Sequence, residues 1–209
     1  MDILEKLTWR YATKKFDPAK KLDERQLDRI LRATRLSASS YGLQPYRIIV
    51  IEDPAVREKL KAVSYNQSQI TDASHLIVFA RHDQLSPEHV ERYVENIAST
   101  RRLERSQLTG FENVMKGTLN SLDEERAANW TGKQAYLALG TLLTACAADG
   151  IDTCPMEGFD AAAYDGILGL KEKNLRTVVI AAVGFRAAED GMQHAEKVRT
   201  PLEDFVETV

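Results

Sequence analysis

Cysteine is scarce in this sequence, with only Cys146 and Cys154 among 209 residues. The two thiols form no CxxC pair, and no group of histidines lies near either of them. The pattern therefore offers neither a disulfide framework nor a zinc site. It is typical of a reducing compartment, so we expect a cytoplasmic protein. No metal ligands are predicted, and the histidines are interpreted as solvated or structural; they are His75, His82, His89 and His194.

Positive charge is not in excess, because 28 Lys and Arg residues face 31 Asp and Glu residues, for a net charge of −3. Nucleic-acid binding needs a broad positive field, so we exclude that class of partner. The apolar segment 134–148 is shorter than the roughly 20 residues that cross a bilayer, so no membrane partner is expected. The first 16 residues are charged throughout and lack the apolar core of a secretory signal.

Local patterns predict several elements along the chain. A helix is expected over 2–10, and a capping box formed by Asp23 and Gln26 begins another. Asp53 followed by Pro54 predicts a helix that extends to about residue 64. Three β-branched apolar runs predict strands that helices cover on both faces; they are 46–53, 75–81 and 175–185. No GxGxxG follows any of them, which argues against a Rossmann-type nucleotide site.

We interpret the chain as one domain, 1–209, since it contains no Pro/Gly/Ser-rich linker and no repeat. The charge-rich stretch of about 86–129 is predicted to be a helical excursion over the main body. Segment 134–148 is apolar on every side, and such a helix must be buried all round. One way to bury it is against the same helix of a second copy, so the pattern favours a homodimer. The polar segment of about 186–209 is predicted to be an arm.

Four fragments carry a family resemblance: WRYATKKF at 9–16, SASSYGLQPYRIIV at 37–50, CPMEGFD at 154–160 and EKVRTPL at 196–202. In this order they resemble the nitroreductase family of dimeric FMN-dependent proteins. The resemblance implies an α+β, three-layer fold with a mainly antiparallel central sheet flanked by helices. It also implies a homodimer in which each C-terminal arm wraps the partner.

The resemblance implies that cations from both ends of the chain bind FMN. Arg10, Lys197 and Arg199 would hold the phosphate, since a guanidinium matches phosphate oxygens bidentately. Lys14 would lie near the pyrimidine edge of the flavin and tune its potential. Tyr11 and Ala12 accompany Arg10, and Ala12 stands where many members have serine. Taken singly, each arginine reads as a solvated surface charge, the alternative that the flanking motif disfavours.

Further positions match flavin contacts of the family. In the loop after the second helix these are Ser39, Ser40, Tyr41 and Gln44, although ordinary turn chemistry explains short polar side chains there equally well. Tyr41 marks the YGLQP-type branch of the family. Asn66 matches a residue on the pyrimidine side, and Gln69 replaces a second lysine. A further predicted contact is Gln134 in the apolar helix.

The fragment 155–158 is the most specific in the second half. In the family the backbone N–H at the position of Glu157 donates to flavin N5, while Pro155 and Met156 lie against the ring. Gly158 would permit close approach of the backbone to the cofactor. A plain strand-to-helix turn before Asp160 is the alternative.

The expected activity is FMN-dependent NAD(P)H oxidoreduction, with ping-pong hydride transfer through flavin N5 to a quinone, nitroaromatic or flavin acceptor. The sequence leaves the choice between NADH and NADPH open. An alternative is an FMN-binding carrier or sensor without nucleotide turnover, and a third is reductive dehalogenation or flavin fragmentation under a lid encoded in 83–128. The residue at the pocket mouth is also open among four candidates, which are Phe111, Met115, Tyr65 and Tyr41.

Overall fold

A four-stranded antiparallel sheet forms the centre of the computed structural model, which describes residues 2–209. The strands are β1 Tyr46–Ile51, β2 His75–His82, β3 Asp152–Met156 and β4 Leu175–Gly184. Their order is β1-β2-β4-β3, and each neighbouring pair is antiparallel. A parallel bridge between Ala12 and Thr153 continues the sheet beyond β3. The predicted α+β class with an antiparallel sheet is confirmed.

Helices surround this sheet, and helices also form most of the excursion predicted at about 86–129. They are α1 Ile3–Trp9, α2 Glu24–Arg35, α3 Pro54–Ala62, α4 Gln69–Asp72, α5 Pro87–Arg101, α6 Thr109–Asn120, α7 Glu124–Ala148, α8 Ala161–Ile167 and α9 Leu202–Phe205. Within residues 2–209, no helix combines the length and the apolar character needed to cross a membrane.

The alternation of side chains along β2 separates two cores. Ile77 and Phe79 pack on one face with α2 and α7, whereas Leu76 and Val78 pack on the other with α3, α4 and α8. Since successive strand residues point to opposite faces, one apolar run serves both cores. The three-layer prediction is confirmed for β2 and β4. β1 differs, because it is an edge strand and its middle residues are only half buried.

The local capping signals define helix starts as predicted. Asp23 and Gln26 make both bonds of a capping box at the start of α2. The Asp53 carboxylate accepts from the backbone N–H of Ala55 at 2.8 Å, with Pro54 as the first residue of α3. These side chains satisfy backbone donors that a helix start leaves unpaired.

Two expectations need correction. α7 begins at Glu124, so the excursion ends before that residue and consists of α5, α6 and a short 3-10 turn. Residues 152–156 form an edge strand that the sequence analysis did not predict. Burial of the apolar helix against a second copy stays a prediction, since in the single chain Tyr136 is 41% exposed and Leu137 51% exposed. The sheet covers only one face of α7, so its opposite face is open in a single chain.

Candidate functional site

Three cations from opposite ends of the chain meet in one cavity of about 490 Å³. Arg10 ends α1, while Lys197 and Arg199 lie in the extended segment after Ala195. Lys197 Nζ donates to the carbonyl oxygen of Arg10. Burial and the charge of Arg199 lower the pKa of Arg10, and burial followed by Arg10 and Arg199 lowers that of Lys197. The structure thus brings together the three residues predicted to bind phosphate, which we call the terminal cluster.

The guanidinium of Arg10 has unused donor capacity. Its Nε is buried and finds no hydrogen-bond acceptor among residues 2–209. A buried charged donor without an acceptor is costly, so such a group marks a place where a ligand atom belongs. Three mutually repelling cations and a free guanidinium donor fit a phosphate dianion. The residues present therefore fit the phosphate of FMN.

Asp190, which the sequence reasoning missed, fastens the segment that follows Arg10. Its carboxylate is 1% exposed and accepts from Tyr11 Oη at 2.9 Å and from the backbone N–H of Lys14 and Lys15 at 2.8 and 3.1 Å. A fourth bond comes from the N–H of Met192 at 3.1 Å. Burial alone would raise the pKa of Asp190, but these donors leave it below its usual value.

A second polar contact orders the same region. Arg186 Nε donates to Asp152 Oδ1 at 2.7 Å, and its guanidinium lies 4.2 Å from the ring centre of Trp9 and 4.6 Å from that of Tyr11. This arrangement ties the start of β3 to the N-terminal segment. Cys154 lies in the same strand with its pKa raised by burial, so its thiol is not activated.

The turn 155–158 is held from the segment after α3. Gln67 Nε2 donates to the carbonyl oxygens of Gly158 and Ser64, at 2.8 and 3.0 Å. A Cβ added at Gly158 would lie 3.6 Å from the Tyr65 ring, which is itself 81% exposed. Tyr65 and Asn66 both have positive φ, 52° and 53°, a conformation that is uncommon outside glycine. Such strain is concentrated at functional sites.

The structure shows the environment of two further predicted contact residues, Glu157 and Gln69. The Glu157 carboxylate accepts from Tyr136 Oη at 2.5 Å, and burial followed by this bond raises the pKa of Tyr136 to about 12. The Glu157 side chain is thus engaged with α7, which leaves the main chain as the part available to a cofactor. Gln69 begins α4 and is buried.

The loop 39–44 uses its polar groups internally. Ser39 Oγ accepts from the N–H of Gln44 at 3.0 Å, and Gln44 Nε2 donates to the carbonyl oxygen of Arg35 at 2.8 Å. Gln134 Oε1 accepts from the N–H of Ser40 at 2.8 Å. Within the described chain these side chains shape the loop, as the turn-chemistry alternative expects. Tyr41 and Gln44 have positive φ, 58° and 46°.

This loop and the turn 155–158 lie on different sides of α7. Gln134 contacts Ser40 and Tyr136 contacts Glu157, so the two contacts start two positions apart on one helix. At 3.6 residues per turn, side chains two positions apart point roughly 200° away from each other. Moreover, the loop shares neither a hydrogen bond nor a cavity with the terminal cluster over residues 2–209. One chain therefore assembles the predicted contacts as two separate groups.

The four candidate residues for the pocket mouth also lie in different parts of the structure. Met115 is fully buried in a core between α5 and α6, so it is unavailable to a ligand in this chain. Tyr41 packs edge-on against Phe111 with ring centres 6.1 Å apart, and Tyr41 Oη lies 2.9 Å from Thr118 Oγ1. Tyr65 stands alone beside the 155–158 turn. The aromatic candidates are thus divided in the same way as the polar contacts: Tyr41 and Phe111 lie with loop 39–44, and Tyr65 lies with the 155–158 turn.

Comparison with known proteins identifies the family. The model of the nitroreductase family matches residues 7–185. The chain belongs to the nitroreductase family. It is 33% identical over 218 residues to YfkO of Bacillus subtilis, provisionally named an NAD(P)H nitroreductase, covering 99% of this chain and 97% of that one. A protein of Staphylococcus haemolyticus with the same provisional name is 35% identical over 217 residues, again covering 99% and 97%.

Solved structures show the same fold. YdfN of Bacillus subtilis, provisionally named a nitroreductase, superimposes with a TM-score of 0.88 at 21% identity and covers 99% of this chain and 98% of its own. A protein of Exiguobacterium sibiricum with the same provisional name, solved in complex with FMN, gives a TM-score of 0.85 at 18% identity, with coverage of 100% and 98%. At these identities the likeness establishes the fold.

Proposed function

We propose that this protein is an FMN-dependent NAD(P)H oxidoreductase that reduces small acceptors such as quinones, nitroaromatics or free flavin. The observation that carries the proposal is the terminal cluster, in which Arg10, Lys197 and Arg199 surround one cavity and Arg10 Nε has no acceptor within residues 2–209. The FMN complex of the Exiguobacterium sibiricum protein and the provisional names of the two relatives support it.

Each residue of the site then has a defined task. The terminal cluster binds the phosphate, and Asp190 fixes the segment that carries Lys14, whose ammonium stabilises negative charge on the flavin. The main chain at Glu157 supplies a hydrogen-bond donor beside the ring, while Gln67 holds that turn in place. Bound FMN supplies the redox chemistry, accepting a hydride from NAD(P)H and passing reducing equivalents to the acceptor.

We further propose that the working form is a homodimer in which loop 39–44 comes from the partner subunit. The exposed face of α7 carries Tyr136 and Leu137, and α1 exposes Ile3 and Leu4. Apolar surface of this extent favours a protein interface. Because one chain holds its loop on the other side of α7 from its own 155–158 turn, a second copy provides a loop that can complete the site.

The C-terminal segment supports an exchanged arm. From residue 198 onward its large apolar side chains are all exposed in the single chain; they are Val198, Leu202, Phe205, Val206 and Val209. The first part of the segment is anchored, since Ala187 and Asp190 are buried. We propose that the remainder packs on the partner subunit, as in the family.

Anaerobic mixing of the purified yellow protein with NADH or NADPH tests the activity. We expect rapid bleaching of the flavin absorbance by at least one nucleotide, then recovery of the colour when a quinone or nitroaromatic is added. Persistent oxidised flavin with both nucleotides would instead support the carrier or sensor. Protein that contains no flavin and takes up none when FMN is added would contradict both functions.

A further inference from the structure

A second cavity, of about 600 Å³, is lined by basic side chains. It lies between the start of β1, the end of β2 and α5, and its side chains include Arg47, His82, His89 and Arg92. None of its lining residues within the described chain is Asp or Glu. The cavity shares no lining residue with the terminal cluster. It is a separate basic site, which we call the β1–α5 cavity.

The fold places these four groups together. Tyr46 of β1 pairs with Arg81 of β2, so the next residue of each strand, Arg47 and His82, belongs to the same end of the sheet. His89 and Arg92 are three residues apart on α5 and share one side of it. The rings of His82 and His89 meet edge-on with centres 4.7 Å apart.

Among residues 2–209, neither Arg47 nor Arg92 of the β1–α5 cavity forms a salt bridge. His82 Nδ1 is buried and has no hydrogen-bond partner among residues 2–209. Burial lowers the pKa of His82 to about 4, with further contributions from His89, Arg47 and Arg92. Burial and Arg92 also lower the pKa of His89, although the facing carboxylate of Glu88 acts in the opposite direction. An anion in the cavity would reverse this repulsion.

The size and the remaining lining restrict the kind of anion. A volume of about 600 Å³ is within the range of small-molecule sites and far exceeds that of a bare oxyanion. Asn96 adds an amide that can bond hydroxyls. Gln44 Nε2 and Tyr93 Oη already donate to the carbonyl oxygens of Arg35 and Tyr41, so these two side chains offer acceptor oxygens. Two arginines supply the planar donors that suit phosphate oxygens.

We propose that the β1–α5 cavity binds the phosphate group of a small phosphorylated molecule, such as a sugar phosphate or a nucleotide. Arg47 and Arg92 hold the phosphate oxygens, and protonated His82 adds positive charge to the wall of the cavity. The polar side chains on the opposite wall bind the organic part. The cavity shares Gly42, Leu43 and Gln44 with the loop proposed to complete the flavin site, but its four basic side chains are not assigned to FMN binding.

Calorimetric titration of the FMN-loaded protein with inorganic phosphate, ribose 5-phosphate and AMP tests this assignment. We expect saturable binding with a dissociation constant below about 10 mM, weakened at least tenfold in the double variant Arg47→Gln/Arg92→Gln. Arg101→Gln, an exposed arginine on the same helix, is the matched control and should bind as the unmodified protein does. Equal results at two saturating concentrations of FMN exclude binding at the terminal cluster.

The same titrations distinguish an organic phosphate ligand from free inorganic phosphate. Tighter binding of ribose 5-phosphate or AMP than of phosphate supports an organic ligand, and equal binding supports free phosphate. No saturable binding, or equal binding by the double variant and the control, would overturn the proposal.

A pH series with sulfate distinguishes a specific site from non-specific electrostatic attraction. Sulfate keeps its double negative charge over the range used, so a change in affinity reports titration of the protein. Binding of a dianion favours protonated His82, so sulfate affinity should increase severalfold from pH 7 to pH 5. The increase should shrink in His82→Asn, and histidine NMR should show a raised pKa for His82 in the presence of sulfate. A pH-independent affinity with unshifted His82 resonances would contradict the role of this residue.

Discussion

The terminal cluster and the loop 39–44 were predicted as parts of one flavin site, yet a single chain builds them differently. In the terminal cluster, residues nearly 190 positions apart contact directly, as Lys197 does with the carbonyl of Arg10. In the loop, the polar groups of Ser39 and Gln44 bond only to their own neighbourhood, and Gln134 faces away from the 155–158 turn. The first group is assembled by the fold of one chain, whereas the second would join it only through the second copy proposed above.

The largest effect should come from placing a charge on the open face of α7. Leu137→Glu buries an uncompensated carboxylate if two copies meet there, which costs about 3–5 kcal/mol of association free energy. We expect monomers in sedimentation and loss of bound FMN, while Leu36→Glu, a change at another exposed leucine, should alter neither. Monomeric Leu137→Glu protein that still retains FMN would show that the terminal cluster binds FMN without a second copy. The proposed role of the partner's loop 39–44 would then be wrong.

Removal of the central cation tests the terminal cluster directly. Arg10→Ala deletes a charge-assisted phosphate contact and should weaken FMN binding by about 1.5–3 kcal/mol, which is roughly a 10- to 150-fold increase in dissociation constant. Flavin fluorescence during dilution measures the affinity, with Arg29→Ala on α2 as the control. Unchanged flavin occupancy in Arg10→Ala would remove Arg10 from the site.

Asp190→Asn tests whether the terminal cluster needs its internal anchor. The amide cannot accept well from all of Tyr11, Lys14, Lys15 and Met192, so FMN affinity should fall roughly tenfold, or about 1.4 kcal/mol. Asp53→Ala, which removes the N-cap of α3, should reduce stability by about 1 kcal/mol without a change in FMN affinity. Equal FMN binding by Asp190→Asn and the unmodified protein would limit Asp190 to a structural role.

The same carboxylate gives a pH dependence with a defined sign. Its pKa in the folded protein lies below the unfolded value of about 3.9, so its stabilising contribution is present above that value and is lost as pH falls through the folded pKa. The difference in unfolding free energy between Asp190→Asn and the unmodified protein should therefore be larger at pH 7 than at pH 3, as measured by urea unfolding. A constant difference would contradict an ionised Asp190.

The smallest effect concerns the potential of the bound flavin. Gln69→Lys adds a cation where the family often has one, and should raise the reduction potential by on the order of 20 mV, since 30 mV corresponds to about 1.4 kcal/mol for a two-electron couple. Redox titration compares it with Gln84→Lys, which adds the same charge at an exposed position. An equal or lower potential in Gln69→Lys would place Gln69 away from the ring.

Structural features that depend on residues close together in the sequence were predicted correctly. The Asp23–Gln26 capping box and the Asp53–Pro54 start act within a few residues, and the apolar runs of β2 and β4 indicate burial on both faces. The start of α7 at Glu124 was missed because charged residues of α5 and α6 conceal the boundary. β3 was missed because it is short and contains Pro155, and because its pairing partners lie far away in sequence.

The sequence by itself determined the family, because four motif fragments stand in the family's order along the chain. Through that resemblance it also implied the layered α+β fold and the cations that suit a phosphate. Only the tertiary structure decided which of those residues meet. Asp190 became an anchor because folding places its carboxylate opposite the backbone N–H groups of Lys14 and Lys15, and no pattern along the chain encodes that approach. The division of the predicted contacts between two sides of α7 has the same origin, since the direction of a side chain is set by the helix that carries it.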